Sequence, residues 1–81
     1  MQVTVRLFAI LRDRAGASVI EMTLPADSTA ATAIENVLEQ FPALAPHLAK
    51  SATAINRSYA PRDTQLQDGD ELALIPPVSG G

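Results

Sequence analysis

The sequence predicts an α+β fold, a mixed β-sheet packed on one main helix. Alternating polar and apolar runs stand near both ends of the chain, a single strongly amphipathic stretch lies between them, and turn residues separate the runs at short spacing. The 81 residues make one domain, 1–81, with room for a compact core and little for a deep catalytic pocket. Hydrophobic residues are 47% of the chain and charged residues 19%, which is the balance of a globular protein rather than a disordered one.

Val3, Val5 and Leu7 alternate with Gln2, Thr4 and Arg6, the pattern of a half-buried strand, and Phe8 falls on the polar side of that alternation. Arg12 to Gly16 reads as an irregular or one-turn helical connection that Gly16 stops. Ile20, Met22 and Leu24 alternate with Val19, Glu21 and Thr23 in a second strand ended by Pro25, and the short spacing predicts a hairpin with the first. Asp27, Ser28 and Thr29 offer N-cap oxygens to a helix whose apolar face is Ala30, Ala33, Ile34, Val37, Leu38 and Phe41 and whose end is Pro42. Leu44 and Leu48 suggest a further turn of helix.

Residues 52–56 read as a third strand, with a short fourth around Tyr59 before Pro61. Asp68-Gly69-Asp70 is a turn signal, and residues 71–75 form the last strand, with Leu72 and Leu74 on one face and Glu71, Ala73 and Ile75 on the other. Pro76 and Pro77 lack the amides a ladder needs, so the sheet should end there and leave a flexible tail over 76–81. If the first and last strands pair, the fold is a β-grasp.

Several function classes are disfavoured by composition. The formal net charge is −3 and the six basic residues form no block, which argues against binding nucleic acid. The absence of cysteine removes disulfides, thiolate metal sites and thiol nucleophiles. His47 has no second histidine or cysteine to share a metal site or a catalytic triad with and reads as a surface residue. Asp68, Asp70 and Glu71 are too few for a calcium loop. No apolar run is long enough to span a bilayer, and the first residues alternate like a strand rather than a signal peptide, so a cytoplasmic location is expected.

The tail carries the chemistry. Gly80 and Gly81 follow a stiff Pro-Pro step with Val78 and Ser79 between, a thin tip able to enter a channel that any Cβ would obstruct. Taken alone, a terminal Gly-Gly reads equally well as a frayed end. Phe8 and Ile75 lie on the face opposite the predicted core, where with Tyr59 they would form an exposed apolar patch beside the tail, the kind of cluster that marks an interface.

The run from Leu66 to Gly81, with its strand, Pro-Pro break and terminal Gly-Gly, resembles the small subunit of molybdopterin synthase, the ubiquitin-like MoaD family. Leu7-Phe8-Ala9, residues 12–16, the capped helix and Asn56 also fall where that family has similar features. Arg57 is a departure, since many relatives have glycine after the asparagine. The resemblance implies a ubiquitin-like β-grasp and a sulfur carrier with no catalytic residues of its own and no bound cofactor. It further implies that a ubiquitin-activating-like adenylyltransferase uses ATP to adenylate the Gly81 carboxylate, that a sulfur donor converts it to a thiocarboxylate, and that the large synthase subunit takes up the tail and passes sulfur to a cyclic pyranopterin precursor. Phe8, Arg12, Tyr59, Ile75, Pro76, Pro77, Val78 and Ser79 are the expected partner contacts. Carriers for thiazole synthesis or tRNA thiolation, a protein modifier, and a ubiquitin-like binding module that is never activated are the alternatives.

Overall fold

Val3, Val5 and Leu7 are buried and the residues between them are not, so β1 (Gln2–Leu7) turns one face to a core and the other outward. The same alternation buries Ile20 and Met22 of β2 (Val19–Thr23), which pairs antiparallel with β1 through Val3↔Met22 and Val5↔Ile20. The computed structural model describes residues 1–77, and the tail positions Val78, Ser79, Gly80 and Gly81 lie outside the described residues.

Three more strands complete one sheet: β3 (Ala52–Ile55), β4 (Ser58–Tyr59) and β5 (Glu71–Ile75), in the order β2-β1-β5-β3-β4. β5 runs parallel to β1, with Val5↔Leu72 and Leu7↔Leu74 in register, and antiparallel to β3. A parallel pair of first and last strands beside a β1–β2 hairpin is the β-grasp that the element order allowed. Both central strands contribute leucines or valines closed to solvent, each worth about 1.5–3 kcal/mol of transfer free energy.

The main helix α2 (Ala30–Gln40) covers the core face. Its Ala30, Ala33, Ile34 and Val37 are buried, while Leu38 and Phe41 pack at the margin. Of the three candidate caps Thr29 takes the role: its Oγ1 accepts from the Thr32 amide at 3.4 Å, and Thr32 Oγ1 accepts in return from the Thr29 amide at 3.2 Å. Ser28 turns its hydroxyl to the Pro25 carbonyl at 2.7 Å, and Asp27 accepts from Gln65 at 2.6 Å. A 3₁₀ turn over Pro42–Leu44 runs into α3 (Ala45–Leu48), burying Leu44 and Leu48 as the expected extra turn of helix.

One connection differs from the reading of its sequence. Residues expected to be irregular or a single helical turn belong to α1 (Ala9–Ala15), closed by Gly16 at φ 74°, whose amide donates to the Arg12 carbonyl at 2.9 Å. Leu11 is the only fully buried residue of this helix, so seven residues present no periodicity to read. The buried polar residues Ser28, Ser51 and Thr53 all donate to backbone carbonyls, and among the described residues no buried side-chain nitrogen or oxygen lacks a partner.

Candidate functional site

Phe8 follows β1 in extended conformation, at φ −122° and ψ 154°, and so continues the strand's alternation onto the outer face of the sheet. It is 42% exposed there. Ile75 reaches the same face by the alternation of β5, and Tyr59, 77% exposed, reaches it from β4. All three line one open concavity of about 380 Å³.

Its depth comes from two alanines. Ala54 and Ala73 are register partners between β3 and β5, and where larger side chains would fill the face these leave a hollow. The sequence of β3 gives no sign of this, because Ala-Thr-Ala-Ile has no polar and apolar alternation to assign its faces. Arg6, Glu71 and Arg57 complete the lining. Arg6 Nε donates to Glu71 Oε2 at 2.8 Å, a partly exposed pair that contributes little to stability.

Arg57 is presented by the β3–β4 hairpin. Ile55 and Ser58 close a two-residue loop in which Asn56 has φ 50° and Arg57 φ 71°. Two consecutive positive φ values are the signature of a type I′ turn, whose backbone twist suits a hairpin. Asparagine tolerates that region, and Asn56 is further held by its own side chain, which donates to Asp70 Oδ1 at 2.9 Å and accepts from the Glu71 amide at 3.0 Å. Arginine at the second position carries a cost of about 1–2 kcal/mol. The turn thus forms despite the missing glycine, with Arg57 in the left-handed region.

Of the remaining expected contacts, Val78 and Ser79 are outside the described residues, and Arg12, Pro76 and Pro77 do not line the concavity. Arg12 is exposed on α1, with its Nε 3.6 Å from Asp13 Oδ1. Pro76 is buried and Pro77 exposed. Both line a second groove with Ile10, His47 and Lys50, residues that spacing in the sequence does not bring together. The carboxylates of the Asp68-Gly69-Asp70 turn are occupied by the chain's own donors: Asp68 Oδ1 accepts from the Gln2 amide at 2.7 Å and Asp70 Oδ2 from the Gln67 amide at 2.8 Å. Among the described residues no group of three or more histidine, aspartate or glutamate side chains could hold a metal, and no helix is long and apolar enough to cross a membrane.

A β-grasp whose last strand leads through Pro-Pro beside an exposed apolar hollow defines a small protein of the ubiquitin-like class. The chain belongs to the ThiS family, whose profile matches residues 5–81. It is 32% identical over 81 residues to the molybdopterin synthase sulfur carrier subunit of Arabidopsis thaliana, covering 100% of this chain and 84% of that protein. Among solved structures it is similar to SAMP1 from Haloferax volcanii, with a TM-score of 0.91, 29% identity and full coverage of both chains. It also matches a chain in the complex of subunits 1 and 2 of molybdopterin-converting factor from Helicobacter pylori 26695, with a TM-score of 0.70, 28% identity and full coverage of both.

Proposed function

We propose that this protein is the sulfur-carrier small subunit of a molybdopterin synthase. The observation that carries this reading is similarity along the whole chain to a protein of that name, in a sequence whose last strand is followed by Pro-Pro and a terminal Gly80-Gly81. In this reading an oxygen of the Gly81 carboxylate attacks the α-phosphate of ATP on a partner adenylyltransferase, and pyrophosphate leaves. A sulfur donor then displaces AMP to give the thiocarboxylate. The thiocarboxylate sulfur attacks a carbon of the cyclic pyranopterin precursor and displaces an oxygen substituent there. Water then cleaves the acyl–sulfur bond, leaving the sulfur on the precursor and restoring the Gly81 carboxylate. The carrier supplies the acyl group and no catalytic side chain, and a cytoplasmic location, where ATP is at hand, agrees with this reading.

The hollow of Phe8, Tyr59 and Ile75 is the docking face for the large subunit, whose active site takes up the Gly81 end of the chain. The complex of subunits 1 and 2 supports an assembly of this type. Intact mass of the protein isolated from cells tests the reading: a fraction should carry sulfur in place of one oxygen at Gly81, and its absence from cells that are making molybdenum cofactor would overturn it.

The close likeness to SAMP1, whose solved structures include one described as small archaeal modifier protein 1, favours a second reading in which Gly81 is joined to lysines of other proteins. Peptides with an isopeptide bond from Gly81 to lysine would establish it.

A further inference from the structure

We infer that Arg57 takes an acidic side chain of the protein that docks on the sheet hollow, so that the hairpin cation sets which partner the apolar patch accepts. This rests on the carrier reading and adds a specificity-determining residue to it. Three observations point the same way.

Arg57 stands at φ 71°, where glycine would carry no steric penalty and any side chain does, a strained position of the kind that clusters at functional sites. Its side chain borders the hollow lined by Phe8, Tyr59 and Ile75. Among the described residues the ion pairs are Arg6–Glu71 and Arg12–Asp13, so the carboxylate on the wall of the hollow is engaged by Arg6 and Arg57 is left without an anion. The wall therefore carries two cations and one anion in a chain whose formal net charge is −3. An apolar surface with an aspartate or glutamate at its margin fits that arrangement. A basic margin would meet Arg57 as a like charge and be rejected. The planar guanidinium can hold a carboxylate through two parallel hydrogen bonds, which also fixes the orientation of the docked partner.

The test uses the full chain and the large subunit of molybdopterin synthase from the same genome, titrated at low and at high ionic strength. Arg57→Gly should raise the denaturant midpoint, because the turn relaxes, and yet weaken binding on the order of tenfold at low salt. Much of that loss should vanish at high salt, where the wild-type contact is itself screened. Arg57→Lys should keep most of the affinity and its salt dependence, and Arg57→Glu should bind more weakly than Arg57→Gly. Wild-type binding with Arg57→Gly unchanged in affinity and salt dependence would overturn the assignment and leave the carrier reading standing. Failure of the wild-type chain to bind the large subunit would overturn both.

Discussion

Leu7 and Leu74 stand opposite each other in the parallel pairing of β1 and β5, both closed to solvent, and the next residue along each chain, Phe8 and Ile75, looks into the hollow on the other side of the sheet. One step along either strand exchanges the folding face for the outer face, the one proposed to dock the partner. Substitutions at Leu7 and Phe8 should therefore separate stability from binding. Leu7→Ala should cost about 2–5 kcal/mol of folding free energy. Phe8→Arg should leave the denaturant midpoint nearly unchanged and weaken binding to the large subunit severely, since the interface would then bury an unpaired charge. Paired unfolding and binding titrations check both, and a collapse of stability in Phe8→Arg with binding intact would reverse the assignment of faces.

Arg62 acts as a structural tie. Its Nη2 donates to the carbonyl of Leu48 at the end of α3 and, at 2.9 Å, to that of Ser51, while its own carbonyl accepts from the Ala31 amide at 2.8 Å. These contacts hold the loop after β4 against α3 and the start of α2. Arg62→Met keeps the aliphatic stem and removes the donors, so it should lower the unfolding free energy by about 2 kcal/mol. The corresponding fall in Tm is on the order of 10 °C for a domain of this size. Binding to the large subunit at a temperature where the variant is folded should be unaffected, because Arg62 does not line the hollow.

Asp70 joins the hairpin to the turn before β5. One carboxylate oxygen accepts from Asn56 Nδ2 and the other from the Gln67 amide. Asp70→Asn leaves one acceptor for two donors and should destabilise the fold by about 1–2 kcal/mol. Because both oxygens are already engaged, calcium should not shift the wild-type melting curve. A calcium-dependent rise in Tm would show a cation site where the chain instead satisfies its own donors.

The elements most legible in the sequence are those with a repeating contrast. β1, β2 and β5 announce their faces by alternation, and α2 by its three- and four-residue steps, and from these alone Phe8 and Ile75 could be placed on a common outer face. The longer α1 was hidden because Leu11 is its one buried anchor. The hollow was hidden because its floor depends on the register of β3 with β5, a long-range pairing that Ala54 and Ala73 do nothing to advertise. The strain at Arg57 is concealed for a related reason: it lies in a backbone angle, and the sequence shows only that glycine is absent.

The last prediction concerns the end of the chain. Among the described residues the hydrophobic core runs from Val3 to Leu74, and Gly81 has no side chain to contribute to it. Deleting Gly81, or adding one alanine after it, should leave the thermal transition in place and abolish sulfur transfer. Deletion draws the carboxylate back by one residue and leaves Ser79-Gly80 at the tip. Addition converts the Gly81 carboxylate into an amide, which cannot be adenylated, and moves the new carboxylate outward behind a Cβ. Each variant keeps a terminal carboxylate but misplaces it by one residue, so the two should fail at the same step: adenylate formation with the activating enzyme and ATP, followed by pyrophosphate release. An extended chain that still released pyrophosphate and donated sulfur, with mass spectrometry showing the alanine retained, would rule out Gly81 as the acyl carrier.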